Sequence, residues 1–478
     1  MGKRILYGIL FLFIIADLSY SFLQYLHQPM DGDIAWNVVP AEANKQVLSS
    51  PFGTDVIFKH QSYPNPNRFF CHWMINRYFN VTPLALQKFT QPIDSIYLSC
   101  AIAKIIIQLL LILLLAMAIS GTNNIFKLEF IISAFLITPL FQANGYRSYM
   151  GIIDPSPTYT FFYALPCVLL LLYFLPFVIQ YYHGKKLENK LLVKGVWILL
   201  AIVVCLSGAL NPGVVLIFSF LVLVISFKNN YVKSAEIGFL KRAKNSICQI
   251  PKNYWFYLVP VSVFALYSLY IGSFNSNNIK ISLIELYARL PEGIYYQFTQ
   301  KLGFPILFIV LTINAIVINR KHKTDEGKKI LAWYKWIGSF ALIYILLLPL
   351  GGYRDYRPNT VRYDTIMPIT FCIMFLFAST SLFIFKNSSK KEKMWFAPLI
   401  IIVLFVFANA DKPEFDTNRC ERNALKEIAV SKNEIVVLPY DCNILSWGKI
   451  NKPEETELNS QLLLIWRITD KKKLYYNK

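Results

Sequence analysis

The sequence is short of charge. Asp, Glu, Lys and Arg make up only 16% of its 478 residues, against 55% for the AVILMFWYC set, and mean hydropathy is +0.43. A soluble protein of this size exposes a surface that needs more charge than this. The three soluble domains that the length alone would suggest are therefore excluded. Cysteines are few and scattered at 71, 100, 167, 205, 248, 372, 420 and 442. With no CxxC and no Cys/His pair at zinc-ligand spacing, neither a zinc module nor a dithiol redox protein is expected. Also missing are GxxxxGK[ST], GxGxxG opening a helix after a strand, HExxH and GxSxG. Nucleotide-driven chemistry and a standard serine hydrolase lose their usual support. Acidic residues are scarce beside basic ones, 28 against 48, for a formal charge of +20, and where that charge lies decides what it means.

What is present is a series of apolar runs long enough to cross a hydrocarbon core, separated by charged or Gly/Pro-rich stretches. About eleven are found, at 5–26, 97–119, 126–140, 158–182, 193–210, 214–227, 254–271, 304–318, 331–350, 365–385 and 395–408. Only Asn211-Pro212-Gly213 joins the fifth and sixth, so this pair is either two spans or a re-entrant hairpin, and the count is nine to eleven. The first run follows Lys3 and Arg4 but is followed by Asp17, Tyr20, Phe22 and Tyr25. That suits an anchor with an interfacial aromatic belt better than a cleaved signal peptide.

With the N-terminus in the cytoplasm and sides alternating, Lys and Arg concentrate in the inner stretches 185–194, 228–252, 320–335 and 386–393. This is the positive-inside pattern. Outside the tail, the basic excess is thus mainly a topology signal, and no nucleic-acid partner is expected. The expected fold class is an all-α polytopic membrane protein: a transmembrane domain over 1–410 with a long first outer loop at 27–96, then a small α/β extracytoplasmic domain over 411–478. The expected location is a bacterial inner (plasma) membrane, with the C-terminus outside.

Nearly all the substantial polar chain falls on the outer side, in 27–97, 275–301 and the tail, and long loops gathered on one face usually carry function. Residues 280–300 have apolar positions at helical spacing and suit an amphipathic interfacial helix. In the tail, the stretch from Arg422 predicts one or two helical turns and 434–439 a short strand. Cys420 and Cys442 are either a staple for this thin domain or two free thiols. Asp17 and Lys104 are the ionisable residues placed within spans, away from any obvious chain of polar partners.

Three outer clusters carry chemistry. Asp31-Gly32-Asp33, just beyond the first span, places two carboxylates two residues apart. They either hold a divalent cation or supply a general base, or they form a solvated turn. The loop containing Arg147 and Asp154 sets an Arg and an Asp on short tethers at the membrane face, and Asp154 is either a second catalytic carboxylate or a turn former. The stretch Gly351 to Asp364 carries Arg354, Arg357 and Arg362 interleaved with Tyr353, Tyr356 and Tyr363. Such an array suits phosphate or diphosphate oxygens and defies the positive-inside tendency. His27, His60 and His72 fit no helical metal pair and are assigned surface or packing roles.

Carboxylates after the first span, about eleven spans, a late outer loop rich in Arg and Tyr, and an outer C-terminal domain together resemble the GT-C superfamily of integral-membrane glycosyltransferases. The resemblance puts Asp31 and Asp33 at the first-loop acidic motif and Asp154 at the second-loop acid of some members. It matches Arg362-Tyr363, followed by Pro368, to a late-loop pattern. The chain departs from that pattern in having no extended acidic run and only a small tail, so metal dependence, on Mg2+ or Mn2+, stays open.

The resemblance implies a polyprenyl-phosphate or polyprenyl-diphosphate sugar donor, and a glycan, lipid or protein acceptor. The outer arginines with Arg147, Tyr356 and Tyr363 would bind substrate, and Asp33 or Asp31 would act as base. Two other classes use similar features. An O-antigen-type polymerase or ligase needs outer arginines without the first-loop carboxylates, and a transporter needs ionisable residues at mid-span.

Overall fold

The computed structural model describes residues 2–145, 148–185, 187, 190–233 and 238–478. Among them, nine helices are long and apolar enough to cross a membrane: Gly2–Leu26, Pro92–Ser120, Pro157–His183, Asn211–Tyr231, Lys252–Gly272, Gly303–Lys321, Asp325–Gly351, Met367–Asn387 and Lys390–Ala410. Local chemistry sets their starts. The Thr324 hydroxyl accepts from Gly327 N–H, and Ser389 with Glu392 forms a reciprocal capping box. This is an all-α polytopic membrane protein, with one two-stranded sheet as its β structure among the described residues.

Two shorter apolar helices, Leu128–Leu140 and Leu191–Cys205, complete the bundle. At 1.5 Å per residue the first spans only roughly 20 Å, yet the chain after it is tied to the loop over 27–96, because Asp31 accepts hydrogen bonds from Ser156 and Thr158. The chain after the second is tied to the same face through Phe70 N–H, which donates to Leu206 C=O at 3.1 Å. Both helices therefore return the chain to the loop-rich face. The stretch 193–227, open between a hairpin and two spans, is two helices, and the second extends to Lys233.

The Met367–Asn387 helix is the axis of the bundle, the most buried of the nine and packed against the 92–120, 128–137, 303–321 and 325–347 helices. Its buried hydroxyls are matched across helices: Asn314 Nδ2 donates to Thr380 at 2.8 Å and Ser381 at 3.2 Å. The expected interfacial helix over 280–300 is instead two pieces, Leu283–Ala288 and Leu290–Thr299. Pro291 supplies the reason, since it has no N–H to continue the first piece and is tolerated only in a helix's first turn.

In the tail, the helix predicted as one or two turns runs from Arg419 to Val430. Strand β1 (Ile435–Leu438) pairs in parallel with β2 (Leu474–Asn477), and Cys420 and Cys442 form a disulfide. This segment shares one apolar core with the loop over 27–96, where Ile34, Val38, Ile75 and Phe79 pack with Leu425, Ile428 and Trp466. Trp466 Nε1 donates to Phe79 C=O at 2.9 Å.

Glu421 fastens the two together. It is buried, and its carboxylate accepts from Met30 N–H, Leu445 N–H and the Tyr97 hydroxyl. Burial holds this carboxyl up at about 7, from an ordinary 4.5. The folded state thus binds the proton more tightly than the unfolded chain. The group's contribution to stability is full below its ordinary pKa and is lost as pH rises through the folded value. The unfolding midpoint in nanodiscs should fall between about pH 5 and pH 8. Glu421→Gln, neutral at every pH, should flatten that slope, and an equally steep variant would assign the slope to other groups.

Candidate active site

Three loops and the tail meet above the bundle. Asp31 is 3% exposed, and its two oxygens accept from Asp33 N–H (2.8 Å), the Ser156 hydroxyl (2.6 Å), Thr158 N–H (2.9 Å) and the Thr158 hydroxyl (2.9 Å). It lies at the N-terminus of the Pro157–His183 helix, where a negative charge is favoured. Asp31 therefore joins the loop after the first span to the one before the Pro157–His183 helix. With every ordinary acceptor direction in use, it has none free for a cation. No group of three or more His, Cys, Asp or Glu side chains that could hold a metal ion is gathered among the described residues. The residues present do not fit a divalent cation, and no step below runs through one.

Gly32 has a packing reason. A Cβ there would meet the Trp447 backbone N at 2.6 Å, so the tail docks where only hydrogen fits. Asp33 is half-buried. Burial raises its carboxyl above the ordinary value and Asp31 adds to the rise, while a hydrogen bond from the Trp447 side chain and the charges of Arg357 and Arg354 oppose it. A carboxylate kept basic by burial, with cations beside it, is equipped to take a proton.

Asp154 is 8% exposed and accepts from Ser156 N–H at 2.8 Å. Burial pushes it up to about 6, against the pull of Ser156 N–H and Lys104. Lys104 has polar partners, contrary to the expectation from sequence. Its amine donates to Gln28 Oε1 at 2.7 Å and to Pro155 C=O, with Asp154 and Asp31 acting on its charge. The sequence hides this because the partners lie in other segments, two of them uncharged. Arg147 lies outside the described residues.

The arginine loop divides in two. Asp364, 2% exposed, pairs with both Arg357 (3.1 Å) and Arg362 (3.0 Å). Arg362 also donates to Asn359 C=O at 2.7 Å. Arg357 donates to the hydroxyls of Tyr163, at 3.2 Å, and Tyr159, and its guanidinium lies over the Tyr159 ring, 4.8 Å from the centroid. Tyr159 and Tyr163, four residues apart, face it from the start of their helix, where a π-helical turn spans Thr160–Ala164. Such turns often sit at functional sites. Tyr363 packs against Gly151, whose φ of +63° suits glycine, and stacks on Phe304.

Arg354 has no carboxylate partner among the described residues: it donates to the Tyr356 hydroxyl at 2.7 Å and Asn65 Oδ1 at 3.3 Å. Beside it is Arg68, at the start of the Phe69–Leu86 helix. Its Nε is shut from solvent without a hydrogen-bond partner, and burial together with Arg354 lowers its pKa. Two neighbouring guanidiniums that form no ion pair among the described residues suit an anion. His72, one turn on, is depressed to about 3 by burial and Arg68 and packs its ring against Phe162, in keeping with a packing role. One turn below Tyr163 and Asp364, Cys167 and Pro368 line an apolar cavity of about 360 Å³, whose wall also includes Asn229, Asn230 and Gln249. It continues past Phe174, Phe340 and Phe371 to Trp333.

Arg68, Tyr159, Tyr163, Asp364 and Trp447 were not legible as site residues. Only the four-residue spacing of the two tyrosines and the nearness of Asp364 to Arg362 were signals.

No family model and no curated protein matches the chain. Among solved structures, it is similar to an oligosaccharyltransferase of Archaeoglobus fulgidus, crystallised in complex with zinc and sulfate. Identity is 14% and the TM-score 0.37, over 88% of this chain and 55% of that one. The chain thus spans about half the length of that protein.

Proposed function

We propose that this protein is a membrane glycosyltransferase that moves a sugar from a polyprenyl-phosphate or polyprenyl-diphosphate donor to an acceptor hydroxyl. The transfer is assigned to the extracytoplasmic face of a bacterial inner membrane, with the N-terminus in the cytoplasm. One observation carries the reading: Arg68 and Arg354, which form no ion pair among the described residues, lie close together, the charge of Arg354 acts on the half-buried base Asp33, and an apolar cavity is lined by Cys167 and Pro368 one turn from Tyr163 and Asp364. An amphiphile with an anionic head and a long apolar tail matches all three.

In this reading Arg68 and Arg354 bind the donor phosphate, and Arg357 and Arg362, held by Asp364, shape the loop that presents them. Asp33 takes the proton of the acceptor hydroxyl. The acceptor oxygen bonds to the anomeric carbon, the bond from that carbon to the phosphate oxygen breaks, and the phosphate keeps the electron pair, stabilised by the two guanidiniums. Asp31 and Asp154 position the loops.

Arg68→Ala and Arg354→Ala should each weaken binding of a polyprenyl-phosphate sugar to nanodisc-held protein about tenfold or more, the scale of one lost charged hydrogen bond. Absence of saturable donor binding by the unmodified protein would sink the reading. Binding with transfer that ignores Asp33 would favour a polymerase or ligase, and binding with movement across the bilayer but no transfer would favour a transporter.

A further inference from the structure

Trp447 is 55% exposed, a large apolar surface to leave in water at the centre of a polar site. One ring face is covered: Tyr159 stacks on it, centroids 5.5 Å apart and planes 26° from parallel. Its side chain hydrogen-bonds to Asp33. The exposure is thus concentrated away from Tyr159, on the side that opens to solvent beside the proposed base.

The loop carrying this ring is rigid. Leu445 holds φ at +51°, a region a branched side chain rarely adopts. Leu445 N–H donates to buried Glu421 at 3.0 Å, and its carbonyl accepts from Asn459 at 3.2 Å. The Ser446 hydroxyl accepts from Ile444 N–H and donates to Gly448 C=O, while Asn443 donates to Trp447 C=O. Backbone strain held in place by surrounding bonds clusters where a side chain must be presented in one pose. A hydrophobic ring needed only for packing would be turned inward, as Trp466 is at 0% exposed in the same segment.

We infer that Trp447 is a stacking platform for a sugar ring of the acceptor, so that the acceptor is a saccharide instead of a peptide or a simple lipid. The inference rests on the glycosyltransferase reading and narrows its substrate class. The apolar face of a pyranose presents polarised C–H bonds, which sit well on the negative face of an aromatic ring. A sugar laid on the open side of Trp447 brings its edge hydroxyls toward Asp33, the group the indole holds. The C-terminal segment then recognises the acceptor, while the transmembrane part and the arginine loop hold the donor.

The test uses the full chain in nanodiscs, labelled with 5-fluorotryptophan, and the fluorine resonance that disappears in Trp447→Phe is assigned to this ring. Methyl glycosides of glucose, galactose, mannose and N-acetylglucosamine are the probes. At least one should move that resonance saturably, and glycerol at equal concentration should not. In transfer assays, Trp447→Ala should raise KM for a saccharide acceptor by about tenfold, and Trp447→Phe, which keeps a ring, by much less. A ring that only holds Asp33 would instead give Phe and Ala the same loss, in kcat, with no glycoside-dependent shift, and that result would overturn the platform. Glycosides that leave the resonance still while donor binding through Arg68 persists would also overturn it, without touching the transferase reading. Glycoside binding in a protein that binds no donor would keep the platform and remove that reading.

Discussion

Asp33→Asn should lower sugar transfer about 10²–10⁴-fold, the range attributed to a positioned general base, with expression and donor binding intact. Asparagine keeps the size of the side chain and an oxygen that can still accept from Trp447; it loses the ability to take a proton. Unlike Asp31, which is consumed by four hydrogen bonds, Asp33 is half-buried and accessible. The measurement is initial rate over a pH series, alongside donor affinity. Burial raises the Asp33 carboxyl, so the unmodified enzyme should lose activity on the acid side at a pH above the usual carboxylate range, and the variant should lack that limb. Equal rates for the two proteins would remove Asp33 from the mechanism. The corresponding change at Asp31 should act through the fold, lowering the unfolding midpoint together with activity.

Asp364→Ala should lower stability by about 3 kcal/mol, the low end for removing one partner of a buried ion pair. The carboxylate is 2% exposed, and the side chains of its partners Arg357 and Arg362 are 19% and 28% exposed. Water thus compensates the stranded cations only in part. Thermal unfolding in nanodiscs checks the number. Adding Arg357→Ala should recover part of the loss, because one stranded charge goes with it. The pair Lys328 and Asp325, with side chains 72% and 100% exposed, is the contrast: its removal should change the midpoint little, as expected for a solvated pair. If Asp364→Ala is as mild as Asp325→Ala, the arginine loop is held by something other than this carboxylate.

Arg357 also marks the limit of what local sequence carries. The stretch 351–364 was legible as a donor array because three arginines and three tyrosines alternate within a short segment. Which of them are free for a substrate was not, because neutralisation depends on where Asp364 turns and on two tyrosines about 200 positions away. Arg68 was invisible for the converse reason: an arginine far from other charges in a long loop has no pattern, and it matters only because burial and the approach of Arg354 act on its charge. Asp31 and Asp33 look equivalent in sequence, and packing against Ser156 and Thr158 is what separates a joint from a candidate base. Lys104 looked isolated because Gln28 and Pro155, its partners, come from segments on either side of its own helix.

The sequence by itself determined the membrane-spanning, all-helical class and the limits of most helices to within about six residues. Apolar runs of sufficient length have one low-energy outcome in a bilayer, where each backbone polar group must be satisfied within its own helix. That is a local rule, so local sequence suffices. It also determined that the polar mass gathers in a few long loops. Only the tertiary structure decided that the tail and the loop over 27–96 share one core, that Cys420 and Cys442 pair, and which charges are spent on each other. Those outcomes come from side chains far apart in the chain meeting at low dielectric, where the worth of each charge is set by its neighbours.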